Sequence, residues 1–252
     1  MLKLVEEYPD NYLFLYQYAI LKLEQRSLDE AEKILHHIVS INSEKLPQTV
    51  ALSHFLLAEN SYKKKDYTEA IRRYDLFLEF TRSIDYTGLA YLNKAFSHLM
   101  MNENLKAKRD LLYARNGNLE IPDDKFAKEI SEQIFNSLPD SNELKIIAAW
   151  NDIAGAKYSQ AIELVSNMNL SLLRDEFRGL QQIVLAECFI ESGKEDMAIV
   201  ELELVKDLEY DYNQWLKPYT YYLLSKIHYL NNNYQASRDN ILISEDFTVY
   251  NY

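Results

Sequence analysis

The chain has 252 residues, 48% of them apolar, with five Gly, five Pro, one Cys and a net charge of -12 from 27 Lys and Arg against 39 Asp and Glu. So few breakers among so many helix formers predict an all-α protein, and the acidic balance disfavours a nucleic-acid backbone or an anionic membrane surface as the main ligand, leaving a neutral or basic partner. No segment approaches the roughly 20 apolar residues that span a bilayer, and MLKLVEEYPDN has neither an apolar leader nor a cleavage site, so a cytoplasmic setting is the expectation.

In chain order, residues 2–8 read as the end of a preceding helix, which places the start of the array upstream. Residues 12–24 carry Leu15, Tyr18, Ala19 and Leu23 at helical spacing. Ser27 and Glu30 then form a capping box for a helix with Ala31, Leu35 and Ile38. A polar connector, NSEKLPQ, puts Pro47 in the first turn of the next helix. The clearest unit follows, LAENSYKKKDYTEAIRRYDLFLEF: two helices joined by a polar turn, with Asp66 capping the second and Glu69 three residues on. Its Ala58, Ala70 and Tyr74 have the spacing A-x11-A-x3-Y, in which two small residues let the helices cross closely while Tyr74 and Phe77 fill the space alongside. This pattern resembles the tetratricopeptide (TPR) repeat.

The residue that opens each second helix gives the period. Ala31, Ala70 and Ala107 are 39 and 37 residues apart, then Ala161 comes after 54, and Ala198 and Ser237 follow after 37 and 39. The one long step contains DDKFAKEISEQIFNSL, residues 123–138, an additional amphipathic helix framed by Pro122 and Pro139. The resemblance therefore implies a right-handed superhelical TPR-like solenoid of about six helix-turn-helix units with one extra helix between units three and four. Its divisions are 1–120 (1–10 being the end of a preceding helix), 121–140 and 141–252. In the last unit serine replaces alanine at both crossing positions, Ser225 and Ser237.

Reactive constellations are not evident. No two of His36, His37, His54, His98 and His228 share the i, i+4 spacing of a pair of metal ligands, the five glycines are isolated rather than gathered in a phosphate loop, and Cys188 sits among apolar residues as a core side chain. Asp123 and Asp124 read as acids at their own helix N-terminus, and Lys63 to Lys65 as a solvated turn. Neither a catalytic residue, a metal nor a cofactor is expected. Tyrosines at crossing positions, such as Tyr74 and Tyr221, are expected to pack with the hydroxyl reaching solvent.

In a TPR array the first helix of each unit lines the concave surface. Counting three before, one after and four after its small residue gives the exposed stripe. That stripe comprises Tyr16, Ile20 and Leu23; Phe55, Glu59 and Tyr62; Leu92, Phe96 and Leu99; Ile146, Trp150 and Ile153; Ile183, Glu187 and Ile190; and Tyr222, Lys226 and Tyr229. Twelve of these are the partner-binding candidates: Tyr16, Ile20, Phe55, Glu59, Tyr62, Leu92, Phe96, Trp150, Glu187, Tyr222, Lys226 and Tyr229. So apolar a face implies an occupant, unless tight winding buries it against neighbouring helices. The carboxylate clamp of chaperone-tail TPR proteins falls at Tyr16, Ile20, Leu56, Leu89 and Asn93 here, where only Asn93 could serve, so that activity is not implied. A narrower likeness in layout, through YPDNYLFLYQYAILKLEQRSLDEAEKIL and LKPYTYYLLSKIHYLNNNYQASRDNILIS, is to inclusion-body-clearance TPR proteins, whose members are non-enzymatic; at most their C-terminal half would correspond.

The resulting expectation is a non-catalytic scaffold that binds a protein or peptide through its concave face. The alternatives are a closed array holding an apolar small molecule or lipid and a self-assembling segment.

Overall fold

The structure, a computed structural model, describes residues 2–41, 47–209 and 215–247; positions 42–46 of the polar connector, and Tyr210 and Tyr212, lie outside the described residues. The described residues form α1 (Leu2–Glu7), α2 (Tyr12–Glu24), α3 (Leu28–Ile41), α4 (Pro47–Lys63), α5 (Tyr67–Phe80), α6 (Thr87–Met100), α7 (Asn104–Ala114), α8 (Pro122–Phe135), α9 (Ser141–Ala154), α10 (Tyr158–Val165), α11 (Asp175–Glu191), α12 (Glu195–Lys206), α13 (Leu216–Leu230) and α14 (Tyr234–Asp246), with a 3-10 turn at Leu170–Leu172. No strand occurs among the described residues. None of their helices is long and apolar enough to cross a membrane.

Two compact units are formed, Met1–Asn136 and Ser137–Tyr252. Helices pack in sequence-adjacent pairs: α2 with α3, α4 with α5 and α6 with α7 in the first unit, then α9 with α10, α11 with α12 and α13 with α14 in the second. Each pair also touches the next within its unit, and α8 packs on α6 and α7. The helix over 12–24 has the expected bounds, with Asn11 accepting from the Leu13 and Phe14 amides.

The pairs share one device. Ala19 and Ala31, Ala58 and Ala70, Ala95 and Ala107, Ala149 and Ala161, and Ala186 and Ala198 are each twelve residues apart and have no exposed surface. A side chain of one carbon lets two helix backbones close to the short end of the usual interaxial range. In the last pair the same places hold Ser225 and Ser237, whose hydroxyls hydrogen-bond to each other at 3.0 Å. Five residues before each second member stands a residue in the left-handed conformation: Arg26, Lys65, Asn102, Ala156, Gly193 and Asn232, with φ between 56° and 65°. The next amide donates to the carbonyl five positions back at 2.8–2.9 Å in all six turns, for example Asp66 to Ser61 and Lys157 to Asp152. That is the Schellman closure of a helix C-terminus.

Helix starts differ from the expectation in two places. Asp66 accepts from the Glu69 amide, but the Glu69 carboxylate turns to Arg72 and Arg73 instead of returning to the cap. A complete capping box occurs instead at Asp140 and Glu143. The second difference is Asp124, which caps a neighbouring helix instead of its own. Helix α6 follows Tyr86, an N-cap residue that is itself left-handed at φ 62° and makes no side-chain capping bond. Asp124 lies on the buried face of α8 with Ala127, Ser131 and Ile134. Its carboxylate accepts from the amides of Leu89 and Asn118, both at 2.8 Å, and so supplies the acceptor that the α6 N-terminus lacks. A Cβ at Gly88 or Gly117 would stand 2.9 or 2.5 Å from that side chain, so glycine is required at both positions. Burial holds the Asp124 carboxyl above the usual carboxylate range against the pull of these amides.

Two substitutions test the shared device. Ala156→Gly removes the Cβ penalty of the left-handed turn and should raise the unfolding free energy by about 1 kcal/mol in urea titrations. Ala70→Leu overfills a crossing and should lower the same quantity by about 1–3 kcal/mol; an unchanged midpoint would place the crossing elsewhere.

Candidate functional site

The first helix of each pair carries the stripe expected to meet a partner, and burial divides that stripe. In the first unit Tyr16 and Ile20 on α2 and Glu59 on α4 are half-buried, whereas Phe55, Tyr62, Leu92 and Phe96 are buried. In the second unit Glu187 on α11 is buried, and Trp150 on α9 and Lys226 on α13 are half-buried. Tyr222 and Tyr229 on α13 keep 46% and 63% of their surface. Crowding is the cause: the first helices touch one another within each unit, α2 with α4 and α6 with α4, then α9 with α11 and α13 with α11. A helix already packed on its second helix then has only a narrow strip left.

In the first unit the strip is filled from within. The Phe55 ring lies 5.2 Å from Phe77 and 5.3 Å from Tyr86, centroid to centroid. Tyr16 approaches the same group, and burial, with the Tyr86 phenol adding, pushes its hydroxyl up to about 12. Glu59 accepts hydrogen bonds from the Tyr74 hydroxyl and, at 2.7 Å, from Asn93 Nδ2. Tyr74 has no exposed surface, so the expectation that its hydroxyl reaches solvent is corrected: the phenol is buried and held by the half-buried Glu59 carboxylate. Burial first, and then the Glu59 charge, raise that phenol well above 10.0. Asn93, the one clamp position able to bind a carboxylate, is occupied by the same contact.

In the second unit the aromatic residues stay nearer the surface. Trp150 on α9, Trp215 and Tyr219 make a group with centroids 5.8 to 6.2 Å apart at steep angles, and Tyr222 stacks on Tyr219 at 5.7 Å. The Tyr219 hydroxyl donates to Glu187 Oε1 at 2.5 Å. Lys226 Nζ reaches Glu191 at 3.0 Å. Counting a stripe from the small residue found Trp150, Glu187 and Tyr222 but missed Trp215 and Tyr219. One more helical step back from Tyr222 would have reached Tyr219; Trp215 precedes the helix, where helical spacing has no reach.

No known family model matches this chain, and no curated protein matches it.

Two groups of buried charges lie away from the stripe. Arg73 is bound by Glu69 at 2.6 Å and faces His54 Nδ1 at 3.3 Å and His36 Nδ1 at 3.4 Å. Lys94 Nζ is 2.6 Å from Asp75 and 3.8 Å from the fully buried Asp110, to which His98 Nε2 also comes within 3.4 Å. His98 Nδ1 meets Glu103 at 2.6 Å. Each buried cation faces a carboxylate, the arrangement that keeps charge tolerable inside a fold. Among the described residues no three His, Cys, Asp or Glu side chains converge to hold a metal ion.

His54 makes the first group sensitive to pH. Burial pushes its imidazole down from 6.5 to about 4, with the Arg73 charge adding. The folded pKa lies below the unfolded one, so this residue's contribution is complete above pH 6.5 and is lost as pH falls towards about 4. The loss should be on the order of 1–3 kcal/mol. Denaturant titrations from neutral to acidic pH should show a steeper fall for the wild type than for His54→Phe; parallel slopes would mean that His54 titrates normally.

Proposed function

We propose that each unit is a short right-handed TPR-like solenoid, six helix-turn-helix units in all with α8 as the extra helix, and that the chain is a non-catalytic interaction module. Small residues twelve apart and a left-handed residue five before the second of them support the repeat reading in all six pairs. In this reading the module holds a neutral or basic segment of another protein against the first-helix face of the second unit.

The observation that carries the proposal is the aromatic surface of α13. Tyr222 and Tyr229 are seven residues apart, hence on one face, and both are exposed. Tyr222 continues the stack from Tyr219 to Trp150, and Tyr229 contacts Tyr234 with centroids 5.7 Å apart. Lys226, between the two tyrosines, is tied to Glu191 and presents its stem rather than a free charge. Tyrosine has only two side-chain torsions, so an exposed row of such rings binds an extended segment at small entropic cost. The net charge of -12 favours a neutral or basic segment over an acidic one.

Selection of a random peptide display library against the full chain tests this reading. The expected result is a neutral or basic consensus whose affinity falls at least about tenfold in Tyr222→Ala/Tyr229→Ala, as hot-spot rings predict, while the melting temperature is unchanged. No enrichment, or binding indifferent to the two tyrosines, would overturn it. Native mass spectrometry with a retained small-molecule mass would instead favour the closed, lipid-holding array.

A further inference from the structure

Besides the last helix, α14, where Leu242 and Ile243 are 46% and 41% exposed, two second helices leave apolar side chains in solvent on the side away from their crossing alanine. On α7, Leu105 is 88% exposed, and Leu112 and Tyr113, seven and eight positions on, are about half exposed. Ala107, Asp110, Leu111 and Ala114 take the buried face. The surroundings of the exposed stripe are basic: Lys106 and Arg109 stand beside it, Lys108 and Arg115 lie on the flank towards α8 with their cations over the Phe135 ring, and the only acid within α7, Asp110, is buried. Lys106 is partly offset by Glu103 at 2.8 Å and Arg109 by Asp110 at 3.3 Å. In a chain of net charge -12 this is an unusual helix.

On α12 the pattern is the same with the sign reversed. Met197, Val200 and Leu204, spaced three and four apart, are 49 to 61% exposed, while Ala198, Leu202 and Val205 are buried. Asp196, Glu203 and Asp207 are exposed along one flank of this stripe. Lys206 lies beside them, paired with Glu203 at 2.7 Å.

We propose that α7 of one copy docks on α12 of a second copy of this chain. Each stripe is a row of apolar side chains long enough to cover the other, and the cations flanking Leu105 and Leu112 then face the carboxylates flanking Val200 and Leu204. Pairing two α7 faces or two α12 faces would set like charges against each other across a small contact, which costs affinity and fixes the partner as the opposite helix. Every copy carries one face of each sign. A single pair of helix faces buries less than the ~1,200 Å² at which standard interfaces begin, so the association is weak and concentration-dependent. Its charges lie at the rim, so salt loosens it: raising ionic strength from about 0.1 M to about 1 M shortens the Debye length from roughly 10 to 3 Å.

Sedimentation velocity on the full chain, over protein concentrations spanning about two decades up to a few hundred micromolar, the range suited to small interfaces, reads the outcome. The expected result is a weight-average mass that rises with concentration and rises less at high salt. Leu105→Asp and Val200→Lys, both at solvent-exposed positions, should each remain monomeric and melt like the wild type. Mixed one to one, the two variants should form a complex that stops at two chains, because the first keeps its acidic face and the second its basic face. A wild type that stays monomeric throughout overturns the proposal. So does a mixture that stays monomeric while the wild type associates, because the contact would then not join α7 to α12.

Discussion

Two small residues twelve apart, buried where the two helices of a pair meet or joined by a hydrogen bond in the last pair, recur in every helix pair, and most other positions follow from them. Once the backbones approach at that point, the first helix must end sharply, which the left-handed residue five positions earlier accomplishes. The phase of the second helix is then fixed, and the residue three after its small one is carried towards the adjoining layers. At that place stand Arg73, Asp110 and Glu201, three ionisable groups that the fold partly or wholly removes from water. Burial alone raises the Glu201 carboxyl above its usual range. Arg73 and Asp110 are compensated, the first by Glu69 and the second by Lys94 and His98.

These charges also tie one pair to the next. Arg73 on α5 reaches His36 on α3, and Lys94 on α6 reaches Asp75 on α5. Nearer the surface Lys64 meets both Asp29 and Glu32 at 2.6 Å, and Asn60 Nδ2 donates to the Leu28 carbonyl at 3.0 Å. Apolar layers of similar shape could slide or exchange; a buried charge whose partner is on one particular neighbour resists that. Buried ion pairs add little net stability after desolvation, so their physical effect here is on register.

Small residues made the pairs legible from sequence alone, because only a side chain of one or two heavy atoms fits a close crossing and its recurrence can be counted. The helix over 12–24, the crossing at Ala58 and Ala70, and an added helix near 123 were accessible in this way. The turns are less so: only Gly193 among the six left-handed residues that end the first helices is glycine, and Arg26, Lys65 and Ala156 carry no local signal for that conformation. Spacing along the chain places Asp124 only at the N-terminus of its own helix and says nothing about an α6 N-terminus left without a side-chain cap 35 residues earlier. Helical period likewise assigned the stripe to a face, but exposure depends on how closely neighbouring first helices crowd it. Phe55 and Tyr222 occupy the same counted position, and one is buried while the other is not.

Glu59 and Glu187 show how much turns on one neighbour. Each follows the small residue of the first helix in the middle pair of its unit, and each accepts a tyrosine hydroxyl. In the first unit the phenol comes from Tyr74 on α5, the second helix of the same pair, so the ring lies inside the pair, fully buried, beneath a half-buried carboxylate. In the second unit it comes from Tyr219 on α13, the first helix of the next pair, so the ring lies along the stripe and packs on Trp150, Trp215 and Tyr222. One carboxylate position therefore closes a face when its partner stands beneath it and leaves aromatic surface when its partner stands alongside. Exposed aromatic surface need not follow from the pairing of small residues alone; the two units differ in the helix of origin of the tyrosine as well as in the neighbours that crowd it.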